Sequence, residues 1–400
     1  MHTQGKRMTP AEETARYIDG LGAEALAKAQ AYTTGNHILL FAGVAVSLLV
    51  AWLIVRSGLL DRVTSRLSKR SWAAMTLAVS AAYMAIADLL TLPWTLYTDW
   101  QRQHAYDLSK QPLSDFLGQW ALGEAFEIVL GGLFLLGVYA LIRKTGARWW
   151  LWGGGFAAGV VLFMLLVGPS LIAPLFNKYE PVPPGGVRTA LEKIADDVKI
   201  PHDRIFMYDG SRQSERFTAN VTGIGPAARI AISDVALKEA SLAEVVAVTG
   251  HEAGHYKLGH AWRSVVLMPL LAMLFFYLLN RLFAPAARLL GSDAQLGEAR
   301  GLPVFMAVGA VLGLLVTPIT NSLTRIGEKE ADAYSLQTVN EPDALASALV
   351  KTAEYRYPRP TPLVEMLFYT HPSVEKRVMR AMEWKAAHPA PVPAEPVPKP

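Results

Sequence analysis

The reading of this chain turns on ten residues, His251-Glu252-Ala253-Gly254-His255-Tyr256-Lys257-Leu258-Gly259-His260. Ser241 precedes them with Glu244 three residues on, a capping-box spacing that predicts a helix over Ser241–His260. Two histidines four apart on such a helix lie on one face, one turn from each other. Both imidazoles can then reach a single tetrahedral zinc, and Glu252 sits beside them to take a proton from the attacking water. His260 follows about two and a half turns after His251, on roughly the same face. It is read as structural or cavity-lining, because a fourth protein ligand would close the position that catalysis needs open.

A catalytic zinc needs a third protein ligand. The chain has no cysteine, so thiolate sites, disulfides and cysteine nucleophiles are excluded, and the ligand must be His or a carboxylate. Arg325-Ile326-Gly327-Glu328-Lys329-Glu330-Ala331-Asp332 offers candidates. Glu328 and Asp332 share a helical face at i and i+4, while Glu330 points elsewhere. Spacing alone allows either of the two as ligand, with the other accepting a hydrogen bond from a ligand imidazole.

Around these motifs the chain is apolar. Hydrophobic residues make up 52% and charged residues 18% of its 400 positions, against about 25% charged in an ordinary soluble domain. Six stretches have the length and apolarity of membrane spans: His37–Val55, Trp72–Tyr97, Trp120–Ile142, Trp149–Ile172, Trp262–Phe283 and Leu302–Thr320. Asp88, Glu124 and Glu127 fall inside these stretches, where carboxylates usually face a bundle interior or a water-filled cavity. The net charge of +4 is scattered, which suits membrane headgroups and not nucleic acid.

The expected fold is mainly α: a polytopic helical membrane bundle of about six spans enclosing a cavity, with an inserted α+β zinc-metalloprotease domain carrying a small sheet. Its expected parts are a polar N-terminal segment (1–36), spans one to four (37–172), the metalloprotease domain with the two-histidine helix (173–261), spans five and six (262–320), a C-terminal part of the protease domain (321–388) and a disordered Pro-rich tail (389–400). Arg204–Tyr208 and Ala228–Ile232 read as strands, with Phe217–Gly223 as an edge strand. Helices are expected at about Arg325–Val339 and Pro342–Tyr355, with another after His371.

These stretches together resemble the type I CAAX prenyl protease family of integral-membrane zinc metalloproteases. His251–His260 is similar to the family's zinc helix, and Asn321 with Arg325–Asp332 to its Asn…Arg-x-x-Glu-x-x-Ala-Asp segment. Leu171–Pro181 resembles its link from membrane to protease domain, Arg212–Gly223 with Asn220 its substrate-binding edge strand, and His371-Pro372 with Arg377 its C-terminal active-site segment. Leu92-Pro93-Trp94 and Tyr97 are similar to its membrane region. The chain departs in offering six spans where the family usually has seven, and Tyr256 where Trp is frequent. The resemblance implies one Zn2+ per chain on His251, His255 and Glu328, with Asp332 behind the ligands. It implies Glu252 and His371 as catalytic groups, and Arg377, Asn220, Asn321, Arg325 and His260 in supporting or substrate-binding roles. The expected activity is a membrane-embedded endopeptidase cutting near the C-terminus of lipidated (CAAX-type) or other membrane-associated substrates, with peptide or protein, sometimes prenylated, and lipid bilayer as partners and no nucleic acid. The expected location is a multi-pass integral membrane protein, in the inner membrane if the source is bacterial. Two alternatives are a quality-control metalloprotease acting on membrane proteins and a transporter with a regulatory zinc. A Glu beside an open two-histidine site has no role in a structural zinc, which favours hydrolysis.

Overall fold

The computed structural model describes residues 8–389, so the tail expected over 389–400 lies outside the described residues but for Pro389. Long apolar helices dominate because a chain in hydrocarbon must satisfy every backbone N–H and C=O within its own segment. Helical stretches long and apolar enough to cross a membrane run over Ala23–Ser57, Trp72–Ala105, Leu113–Phe176, His260–Leu290 and Ala299–Thr338. The third has 64 residues, about 96 Å of helix against a hydrocarbon core of about 30 Å, so it must double back. It does so at a 3₁₀ turn, Gly146–Arg148, between helices that pack on each other. Six traverses result, in line with the fold read from the sequence.

The helices are labelled α1 (Pro10–Asp19), α2 (Ala23–Ser57), α3 (Trp72–Thr95), α4 (Leu113–Phe126), α5 (Gly132–Thr145), α6 (Trp149–Val167), α7 (Gly186–Val198), α8 (Leu242–Lys257), α9 (His260–Leu290), α10 (Leu302–Thr338), α11 (Pro342–Lys351), α12 (Pro362–Phe368) and α13 (Val374–Ala387). The bundle interior is packed by Val79, Leu135, Val138, Tyr139, Trp149, Leu279 and Leu302. Asp88 on α3 and Glu124 and Glu127 on either side of the α4 terminus converge, with carboxylate oxygens within 4.8 Å of one another.

A sheet of four strands is built from β1 (Tyr179–Pro181), which precedes α7 in sequence, and from β2 (Ile205–Tyr208), β3 (Ala219–Thr222) and β4 (Arg229–Ser233), which lie between α7 and α8, in the order β1-β2-β4-β3. β2 and β4 are parallel, and β3 is antiparallel to β4 with Ala219 opposite Ile232 and Thr222 opposite Arg229. β3 is therefore an edge strand, and β1, three residues long, is a second edge that the sequence does not announce. Ile205, Ile230 and Ile232 are fully buried with Leu191, Val245 and Ala253, each large aliphatic side chain contributing about 1.5–3 kcal/mol. This core seats α8 on the sheet.

Three boundaries depart from the sequence expectation. α2 starts at Ala23, well before His37, since polar residues extend a helix beyond the membrane without breaking it. The sixth span does not stop near Thr320 but continues as α10 to Thr338. α8 ends at Lys257: Gly259, at φ 70° in the left-handed region, turns the chain, and His260 opens α9. His251 and His260 thus do not share one helix. The N-terminal α1 brings Ile18 into a core with Leu336, Leu345, Val378 and Met382, tying α13 to the end of α10.

α8 approaches α10 closely at Gly254, where a Cβ atom would lie 3.1 Å from Ala331 Cα and 3.1 Å from Tyr334 Cβ. Gly254→Val is predicted to push the two helices apart and to lower kcat/KM by about a hundredfold, the usual scale of a 1 Å displacement of reacting groups, while circular dichroism of the membrane helices stays unchanged.

Candidate active site

The capping box that starts α8 is formed: Ser241 Oγ accepts from Glu244 N–H, and Glu244 Oε2 accepts from Ser241 N–H. Glu244 also accepts from Ser347 and Lys351 of α11, which fixes the helix against the C-terminal region. One turn before its end, α8 presents His251 and His255 to Glu328 on α10. His251 Nε2 lies 3.2 Å from Glu328 Oε2, His255 Nε2 3.3 Å from Glu328 Oε1, and the two Nε2 atoms 3.2 Å apart. His251 and Glu328 are buried.

Three lone-pair donors facing one another need positive charge among them, from a proton or a metal ion, and Glu328 Oε2 has no hydrogen-bond partner. Tetrahedral zinc with ligand bonds of about 2.0–2.1 Å holds its ligand atoms about 3.3 Å apart, the spacing of this triangle. Electrostatics agree: burial alone lowers His251, yet the Asp332 and Glu328 carboxylates overcome it and raise the imidazole to about 9. The pocket favours positive charge.

Behind the triangle, Asp332 Oδ1 is 2.9 Å from His251 Nδ1. Arg377 of α13 donates to both Asp332 oxygens, Nε to Oδ2 at 2.8 Å and Nη2 to Oδ1 at 2.6 Å. All three side chains are buried. Spacing left Glu328 and Asp332 interchangeable; in the fold Glu328 faces both histidine Nε2 atoms and Asp332 faces the back of one ring. Arg377 is engaged with Asp332 through Nε and Nη2, behind His251.

His371 is brought to the same place, its Nε2 3.2 Å from Glu328 Oε2. Burial lowers its pKa to about 3, with the Arg356 cation adding to the effect, so the ring is neutral in the working range. Asn321 and Arg325 are not beside the triangle. Asn321 donates to Leu367 O, and Arg325 donates to the backbone oxygens of Glu365, Met366 and Tyr369, so together they fasten the α12 segment that leads into His371. Asn220 lies on the β3 edge, and Asn220, Thr222, Arg229, His255 and Tyr256 line one groove of about 440 Å³ that reaches Gly168 and Pro169 at the end of α6. Glu252 is partly buried, within electrostatic reach of His251, His255 and Glu328. Burial raises its carboxyl above the ordinary value, and His251 and His255 draw it part of the way back.

Residues 183–385 match the family model Peptidase family M48, and residues 2–178 match the model for the CAAX prenyl protease N-terminal region, five membrane helices. The chain belongs to peptidase family M48. It is a metalloendopeptidase and a multi-pass integral membrane protein. The Arabidopsis thaliana protein named CAAX prenyl protease 1 homolog is 31% identical over 77% of this chain and 73% of its own length. A Bacillus subtilis protein named uncharacterized metalloprotease YhfN is 26% identical over 89% of this chain and 85% of that one. The crystal structure of S. mikatae Ste24p has the same fold, with a TM-score of 0.76 at 20% identity over 92% of this chain and 94% of that chain. Membership in the M48 family implies a bound metal, and the donor triangle fits one.

Sequence reasoning missed Glu330 as a partner of the site. It does point away from the Glu328–Asp332 face, and it ends on His260, with Nε2 to Oε2 at 2.8 Å. The signal was Gly259, whose left-handed turn redirects the histidine after it.

Removing one partner of a buried ion pair strands the other charge, at a cost of about 3–5 kcal/mol. Arg377→Ala is predicted to lose that much stability in denaturant unfolding of the detergent-solubilised protein, whereas Lys28→Ala, which breaks the exposed Lys28–Asp107 pair, should change it by less than about 1 kcal/mol. Replacing both members, Arg377→Met with Asp332→Leu, should recover part of the loss.

Proposed function

We propose that this M48 peptidase is a zinc endopeptidase that hydrolyses peptide bonds near the C-terminus of lipidated, CAAX-type substrates at the membrane surface, with one zinc per chain held by His251, His255 and Glu328. The observation that carries the reading is the 3.2–3.3 Å donor triangle with Glu252 beside it and an open edge strand along it. Zinc bound there would polarise the scissile carbonyl and acidify the attacking water.

The chain's own residues do the rest. Glu252, with its raised carboxyl, takes the proton from the attacking water and returns it to the leaving amine. Neutral His371 donates a hydrogen bond to the oxyanion that develops on the carbonyl oxygen. Asp332 and Arg377 hold His251, while Asn321 and Arg325 hold the segment that carries His371. The free edge of β3 around Asn220 pairs with an extended substrate through backbone hydrogen bonds, a mode with little demand on side-chain sequence.

Two features favour a membrane-tethered substrate. Glu328 lies eight residues beyond Thr320 on the same helix as the sixth span, about 12 Å past the apolar stretch, so the scissile bond sits at interface level. The groove beside β3 runs to Gly168 and Pro169 at the end of a spanning helix, where a lipid-modified residue next to the cut would remain close to hydrocarbon. The Arabidopsis relative's name points to the same substrate class.

Glu252→Gln is predicted to keep zinc stoichiometry and lower kcat by about 10²–10⁴, measured on a quenched farnesylated C-terminal peptide. His371→Ala should cost about 10²–10³ in kcat, the scale of one oxyanion donor. Because only ionised Glu252 accepts a proton and burial raises its pKa, activity should fall on the acid side through a midpoint above the ordinary Glu value of about 4.3. The pH profile of kcat/KM for the native enzyme checks that sign. The farnesylated peptide should be cut at least about tenfold better than its unmodified counterpart, the worth of roughly two well-buried methylene groups. Equal rates would favour the quality-control reading.

A further inference from the structure

The two histidines of the triangle are held differently. His251 Nδ1 meets a carboxylate directly, Asp332 Oδ1 at 2.9 Å. His255 Nδ1 meets another imidazole: His260 Nδ1 lies 2.8 Å away. His260 Nε2 is in turn 2.8 Å from Glu330 Oε2, and Arg263 Nη2 is 2.9 Å from the same oxygen. The chain of contacts therefore runs His255, His260, Glu330, Arg263, away from the donor triangle.

Proton counting fixes the direction of each bond. If His255 Nε2 gives its lone pair to the metal, its ring proton is on Nδ1. Two facing Nδ1 atoms at 2.8 Å need one proton between them, so His255 donates and His260 accepts. The proton of neutral His260 is then on Nε2, where Glu330 accepts it. Each ring nitrogen has one defined role, and no other arrangement of neutral rings satisfies both contacts. The site is built to admit the second ring: a Cβ atom at position 327 would lie 3.3 Å from His260 Nδ1, so the absence of a side chain at Gly327 leaves space for it. Gly259, at φ 70°, gives the turn that brings His260 back against His255.

We propose that His260 and Glu330 form a hydrogen-bonded relay that sets the tautomer and ring orientation of His255 and thereby strengthens metal binding. Both are positioning residues; neither touches substrate. The inference rests on the zinc reading above. Arg263 keeps the Glu330 carboxylate ionised, as Arg377 does for Asp332, so each metal-facing histidine ends on an arginine-paired carboxylate, one directly and one through an intervening ring.

The test is zinc affinity of the full-length protein in detergent, by chelator competition, with the cobalt(II) absorption spectrum as a second readout. His260→Ala and Glu330→Ala should each weaken zinc by about 10- to 100-fold, the range for groups that orient metal ligands, and should shift the cobalt d–d bands. Since Glu330 acts through His260, the double variant should lose no more than His260→Ala alone. Glu330→Gln, which retains an acceptor oxygen, should recover most of the affinity. Thermal midpoints of the metal-free proteins, expected to match the native one, separate this from unfolding. Where His260→Ala does not fold, Glu330→Ala, whose side chain is partly exposed, carries the test with the same expectation. A native protein that binds zinc, beside variants that bind it within about threefold with unchanged cobalt spectra, overturns the relay alone; so does simple additivity of the two losses. A native protein that takes up no zinc overturns the metal reading and the relay with it.

Discussion

Everything in the protease half of this molecule serves one electrostatic constraint: two imidazoles and a carboxylate must be kept in a mostly buried pocket with their lone pairs aimed at a common point. Such an arrangement needs positive charge among its donors, from a proton or a metal ion, and the scaffold holds its shape from several sides. α8 supplies two donors from one helical turn, α10 supplies the third, and the contact at Gly254 sets their separation. Behind the donors the charges are matched in layers, with Asp332 neutralised by Arg377 and Glu330 by Arg263. The C-terminal helix α13 is held in turn by α1 and α11, which is why the first and last described helices share one core.

The membrane half is continuous with this scaffold. α10 begins within the bundle core at Leu302 and ends beyond Asp332, and α9 starts at His260, immediately after the helix that carries His251 and His255. A bundle packed on Val79, Leu135, Trp149 and Leu279 therefore fixes the spacing of groups well outside it. The same continuity puts Glu328 and Asp332 on the helix that carries the sixth span, about two to three turns beyond Thr320.

What was legible in the sequence follows from which interactions are local. The pair His251 and His255 with Glu252 could be read because a single helix sets its geometry, and the capping box at Ser241 marked where that helix begins. The spans were legible from apolar length alone. Glu328 and Asp332 could not be separated by spacing, because both face the same way along α10 and only the position of α8 tells them apart; the family resemblance, not the spacing, assigned Glu328 as the ligand. Arg377 and Asn321 act through contacts with segments dozens of residues away, so their partners had no local signature. β1 escaped because three residues with one proline carry no strand pattern. The break at Gly259 was the one local signal passed over, and with it the placement of His260 and Glu330.

X-ray absorption at the zinc edge of the purified, full-length protein tests the central claim most directly. Zinc held as argued should show two imidazoles, one carboxylate and one further oxygen at about 2.0–2.1 Å in a four-coordinate shell, at one zinc per chain. A shell with three or more imidazoles, which would bring His260 or His371 onto the metal, or a six-coordinate oxygen shell, would contradict it.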